Sequence, residues 1–148
     1  MKILVLGATG RTGRLFTHKA LEGGHTVTAY VRNPDKAHTL LGAHQNLTIT
    51  PGTLDDAEQL AAASAGQDVM VSTLGQKATV REFLHSTFLQ ERLPLIMQAV
   101  TGAGVKHCVL LSAYGVGDTV RTASLPMRLV CKVIMRGIFT DKVKADAL

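Results

Sequence analysis

The chain has 148 residues, enough for one ordinary domain and too few for two comfortable ones, so a single domain over residues 1–148 is expected. Hydrophobic residues make up 46% and charged residues 18%, with a mean hydropathy of +0.18, which supplies a core and excludes disorder as the main state. The net charge of +5 is spread along the chain, and the two Tyr and four Phe form no stacking platform, which argues against nucleic-acid binding.

Residues 2–7 are a short continuous aliphatic run, the pattern of a strand buried on both faces in a parallel sheet. Gly7 to Gly13 reads as a turn, and a helix is predicted over 12–22, with Leu15, Phe16, Lys19 and Ala20 at helical spacings, ended by Gly23-Gly24. A second strand is predicted over 25–31. Asn33-Pro34-Asp35 then caps a helix, with Pro34 at its first position, where a missing N–H costs nothing. Leu47-Thr48-Ile49 is a short third strand, Asp55-Asp56 opens a helix through Leu60 to Ala65, and residues 68–72 are a fourth strand. The helical stretch 84–103 contains Pro94, which predicts a kink before Leu95 and a main helix over about 94–102. Residues 106–111 are a fifth strand, and a further helical run is predicted from about 125 to the end. Strands alternating with helices imply an α/β fold, a doubly wound parallel sheet with right-handed crossovers.

The first bend carries the clearest chemistry. Gly7-Ala8-Thr9-Gly10-Arg11-Thr12-Gly13 lies between a strand and a helix, where glycines allow a tight turn and close approach of main chain to a diphosphate. The helix start then offers free N–H groups and partial positive charge. Units of this kind that select NAD place a carboxylate at the end of the second strand. Here that place reads Tyr30-Val31-Arg32-Asn33. Arg32 and Arg11 can clamp a 2′-phosphate bidentately, so NADP(H) is favoured over NAD(H).

With that loop, Val31-Arg32-Asn33-Pro34, Ser72-Thr73-Leu74-Gly75 and the segment Leu111 to Asp118, the chain resembles an atypical short-chain dehydrogenase/reductase. More narrowly it resembles the NAD(P)H-binding group that includes NmrA-like proteins and biliverdin-IXβ/flavin reductases. The resemblance implies a Rossmann NAD(P)-binding fold, here without the family's usual C-terminal strand. It implies that Gly7, Thr9, Gly10, Arg11, Thr12 and Gly13 line the pyrophosphate and ribose site, with Arg32 facing the 2′-phosphate. Leu74 and Gly75 would pass along the ribose and nicotinamide side, and Ser112 would lie near nicotinamide and substrate. Thr53 stands where the family often has an Asp contacting adenine. Lys142 falls where some relatives carry an active-site lysine, and Tyr114 is either a proton donor or a half-buried ring at the strand end. The family's Tyr-x-x-x-Lys pair is missing, because Tyr114 is followed four residues later by Asp118.

The six His and two Cys show no metal-ligand spacing, so no metal is expected; Cys108 and Cys131 read as small core residues. Two cysteines are too few for a disulfide framework, and no apolar run approaches the about 20 residues of a membrane span. A cytoplasmic protein with no membrane partner, monomeric or homodimeric, is expected. The leading functional expectation is an NADPH-dependent oxidoreductase that passes a hydride to a small conjugated acceptor such as a flavin, quinone or bilin. The alternatives are a non-catalytic NADP(H)-sensing regulator of NmrA-like type and, less well supported, an epimerase or dehydratase, whose strong base the missing Tyr–Lys pair would have supplied.

Overall fold

The computed structural model describes residues 1–75 and 88–111. Strands β1 (Lys2–Leu6), β2 (Thr26–Val31), β3 (Leu47–Pro51), β4 (Val69–Ser72) and β5 (His107–Leu110) form a single parallel sheet in the order β3-β2-β1-β4-β5. Between them run helices α1 (Arg11–Glu22), α2 (Pro34–Leu41), α3 (Ala57–Ser64) and α4 (Phe88–Gly102). The doubly wound arrangement predicted from the alternating pattern is the one that forms. The chain winds outward from β1 to β3, then returns to β4 beside β1, so the direction of winding reverses between β1 and β4. In an open sheet of this kind, that reversal opens a crevice at the carboxyl ends of the strands.

The aliphatic runs bury both sheet faces because their side chains alternate. Ile3, Val5, Val27, Ala29, Val69 and Val71 face one way, with Ala20 and Leu21 of α1 and Ala37 and Leu41 of α2. Leu4, Leu6, Tyr30 and Met70 face the other way, with Leu60 of α3 and Ile96, Ala99 and Val100 of α4. Pairing keeps the strands in step: Leu6 lies opposite Tyr30 on one side and Ser72 on the other. Two predicted caps are present. The Asn33 side chain accepts from Lys36 N at 2.9 Å, and the Asp56 carboxylate accepts from Gln59 N at 2.9 Å.

Three details depart from the sequence reading. Helix α4 begins at Phe88 rather than near residue 94 and so carries Pro94 inside it. A proline at the seventh helical position removes a single N–H bond, a local loss set against the burial of Ile96, Ala99 and Val100 farther along the helix. Strand β3 extends two residues past Ile49, to Pro51. Because Gly52 N donates inward to Val31 O at 2.9 Å, the nitrogen of Pro51 faces outward at the sheet edge, where a missing donor costs nothing. Finally, α1 turns Gly13, Thr17, Ala20 and Leu21 inward and leaves Leu15 64% exposed. Close packing of Gly13 against Gly7 and Thr73 sets that rotation. The chain divides into two compact units, residues 1–75 with 95–111 and residues 76–94 with 112–148, and the first contains the sheet.

Candidate functional site

The β1–α1 bend is shaped by three glycines and one threonine. Gly7 has a φ of +83°, a left-handed conformation that ordinary side chains rarely adopt. Its carbonyl accepts from Gly10 N at 2.9 Å, closing the turn, and Gly10 O then accepts from Arg14 N at 2.9 Å to start the helix. A Cβ on Gly13 would overlap the Gly7 carbonyl oxygen and stand 2.6 Å from Thr73 Oγ1. Thr73, just past β4, is itself fastened to β1: its N and its Oγ1 both donate to Leu6 O, at 2.9 and 3.0 Å. Helix α1 is thus drawn onto the bend through Gly13, and the bend is braced from behind by Thr73.

This packing leaves an anion-binding surface. Gly10 is the N-cap, with no side-chain cap bond and no acidic residue in the first turn. Among the described residues, none accepts from the amides of Arg11, Thr12 or Gly13. Three unfilled N–H donors at the positive end of a twelve-residue helix attract an anion by direct hydrogen bonds and by the helix dipole. The guanidinium of Arg11 adds a full charge beside them.

Because all five strands are parallel, the other candidate residues collect at the same edge. Arg32 follows β2, Thr53 follows β3, and Leu74 and Gly75 follow β4. Arg11 and Arg32 are exposed, and neither takes part in an ion pair among the described residues. No carboxylate stands at the end of β2, as the sequence indicated. Thr53 is exposed, but its carbonyl is turned inward and accepts from Tyr30 Oη at 2.9 Å and from Asp56 N at 3.3 Å. Burial, and then the Asp56 carboxylate, push the Tyr30 phenol above its ordinary range. Leu74 is half-buried against the core, while Gly75 is exposed, with open space around its missing Cβ. Leu111 N donates to Ser72 O at 2.9 Å, bringing the chain after β5 to the same edge. Ser112, Tyr114 and Lys142, like Cys131, lie outside the described residues. Cys108 is half-buried against the α3–α4 core, which raises its thiol above the usual range and suits an inert packing role.

Sequence reasoning missed two residues here, Thr73 and the phenol of Tyr30. No local spacing signals either one, because each acts on a partner far away in the chain. A separate cleft of about 430 Å³ lies beneath α3, lined by Thr28, Thr48, Thr50, Gln59 and Gln67 among others. Those groups are all neutral, and Gln67 Nε2 already donates to Thr28 Oγ1 at 2.9 Å, so it offers neither the charge nor the free amides of the β1–α1 bend.

A family model described as NAD(P)H-binding matches residues 7–148. The chain belongs to this NAD(P)H-binding family. The unfilled amides, the missing Cβ atoms and the absence of acid in the first helical turn fit the diphosphate of such a dinucleotide. An isoflavone reductase homologue from Arabidopsis thaliana is 32% identical over 130 residues, covering 84% of this chain and 38% of its own. Among solved structures, ChuY, an anaerobilin reductase from Escherichia coli, superposes with a TM-score of 0.70 at 22% identity, covering 99% of this chain and 66% of its own. A short-chain dehydrogenase/reductase from Veillonella parvula in complex with NADP superposes with a TM-score of 0.77 at 14% identity, covering 99% of this chain and 62% of its own. These two likenesses confirm the Rossmann-like fold. The chain spans under two thirds of each of these proteins.

Proposed function

We propose that this member of the NAD(P)H-binding family is an NADPH-dependent reductase of small conjugated acceptors of the flavin, quinone or bilin type. The observation that carries the reading is the pairing of a free helix start with two unpaired guanidiniums, Arg11 and Arg32, at an edge where β2 ends without a carboxylate. An extra phosphate gives two guanidiniums a dianionic partner, whereas a ribose hydroxyl gives them little. The anaerobilin reductase and the isoflavone reductase homologue lend support to a reductase, and the first to a bilin-like acceptor.

In this reading the amides of Arg11, Thr12 and Gly13 hold the diphosphate, while Thr9 and Gly10 line the adjoining ribose. Arg32 and Arg11 hold the 2′-phosphate, and Thr53 borders the adenosine end. Leu74, Gly75 and Ser112 border the nicotinamide and exclude water from it. The bound coenzyme supplies a hydride from its nicotinamide C4 to the acceptor. The protein's contribution is alignment of the two rings. The accompanying proton comes from solvent or from a donor among Tyr114 and Lys142. No Tyr-x-x-x-Lys pair is needed for an acceptor that takes the hydride into a conjugated system.

Calorimetric titration with NADPH and NADH, followed by NADPH oxidation with free flavin, quinones and a bilin, tests this. Tighter binding of NADPH and turnover with one acceptor are expected. Tight NADPH binding without turnover on any acceptor would instead favour a non-catalytic NADP(H) sensor, the reading that the missing Tyr–Lys pair also accommodates.

A further inference from the structure

We propose that Tyr30 is the positioning residue for the adenosine end of the dinucleotide site, acting through the main chain of Gly52 and Thr53. The inference rests on the NADP(H) reading above: with the diphosphate on the β1–α1 bend and the 2′-phosphate at Arg32, the adenosine lies over the ends of β2 and β3. The segment that leaves β3 there, residues 52–56, forms one wall of that end.

This wall belongs to neither a strand nor a helix. It is a five-residue connection, and Thr53 carries no charge with which to grip a base. Its position is imposed from below. Tyr30, the penultimate residue of β2, points to the α3 side and is 4% exposed. Its hydroxyl donates to Thr53 O at 2.9 Å, and Asp56 N donates to the same oxygen at 3.3 Å, so the 53–54 peptide is held with its carbonyl inward. Its ring occupies the place a Cβ on Gly52 would take, so the chain crosses directly over the ring face. Gly52 N closes the arrangement by donating to Val31 O at 2.9 Å. A buried phenol that is fully packed and has one defined acceptor is a stiff support. With the carbonyl turned inward, the N–H of the 53–54 peptide faces away from the ring, and Thr53 itself is exposed. A Phe at position 30 would occupy the same core space but would leave the Thr53 carbonyl with the longer bond from Asp56 N alone. The hydroxyl therefore serves the site rather than the core.

The test compares wild type, Tyr30→Phe and Gly52→Ala by calorimetric titration with 2′,5′-ADP, with NADPH and with inorganic pyrophosphate. Loss of one neutral hydrogen bond that orients a wall predicts about a fivefold weaker 2′,5′-ADP and NADPH in Tyr30→Phe, with pyrophosphate unchanged. Gly52→Ala, which drives the ring off its seat, should weaken both adenosine ligands more. In turnover, KM for NADPH should rise with kcat unaltered. If wild type binds none of the dinucleotides, the NADP(H) reading itself has failed and takes this inference with it. If wild type binds 2′,5′-ADP and Tyr30→Phe binds it equally well, or if Tyr30→Phe loses pyrophosphate in the same proportion, the positioning role alone is overturned.

Discussion

Replacing Gly13 by Ala sets two opposed effects against each other. In a free helix the change stabilises, because Ala is preferred over Gly by up to about 1 kcal/mol. In this protein the new Cβ would overlap the Gly7 carbonyl oxygen, sit 2.8 Å from the Gly7 carbonyl carbon and 2.6 Å from Thr73 Oγ1. Carbon atoms rest at about 3.5–4.0 Å, so α1 must retreat by roughly 1 Å. Neither obstacle yields easily: Gly7 is held in a left-handed turn, and Thr73 Oγ1 is anchored on Leu6 O at 3.0 Å. Overpacking of this kind costs about 1–3 kcal/mol, which exceeds the gain in propensity. A net loss of about 1–2 kcal/mol is expected in urea unfolding, equivalent to roughly 3–6 °C in Tm. Because the amides of residues 11–13 move with the helix, NADPH affinity should fall more than tenfold. Gly102→Ala is the control: its Cβ meets nothing within 4 Å, so propensity alone acts and a small stabilisation follows. A Gly13→Ala protein as stable as wild type, with unchanged NADPH affinity, would refute the account of the bend.

Removing both guanidiniums, Arg11→Ala with Arg32→Ala, should weaken NADPH by about tenfold in low salt, leave NADH within about twofold, and lose most of its effect at high ionic strength, since both side chains are exposed. Equal losses for the two coenzymes in titration would contradict the 2′-phosphate assignment. Thr17 is fully buried with its hydroxyl unpartnered, so Thr17→Val, nearly the same shape, should stabilise by about 1 kcal/mol in thermal unfolding; destabilisation would show that the hydroxyl is bonded. The Tyr30 phenol is raised by burial and by Asp56, so its protonated form favours the fold: that stability is complete below about pH 10 and is lost as pH rises toward the folded value. A 295 nm titration should show a late-ionising tyrosine that disappears in Tyr30→Phe, and identical curves for the two proteins would rule this out.

What the sequence determined by itself is what short-range chemistry dictates. A continuous aliphatic run such as Ile3 to Leu6 can only be satisfied with both faces covered, which implies a parallel sheet with helices on each side. A glycine-rich bend between strand and helix is confined to 7 consecutive residues, and the caps at Asn33 and Asp56 each act on the amide three residues on. Arg32 was readable as a candidate for the coenzyme site because its place, the first residue past β2, follows from the strand's end. The tertiary structure decided whatever depends on partners distant in the chain. Gly13 and Thr73 are 60 positions apart, Tyr30 and Thr53 are 23 apart, and only the order β3-β2-β1-β4-β5 brings each pair together. The inward face of α1 followed the close approach at Gly13 rather than its own apolar spacing. Pro51 was admitted to β3 because that strand is the sheet's edge, and Pro94 to α4 because core burial along the helix outweighs one missing bond. At Pro94 a local preference worth about 3 kcal/mol met packing of equal or greater strength, at Pro51 the edge position removed the cost, and both packing and edge position are properties of the assembled sheet.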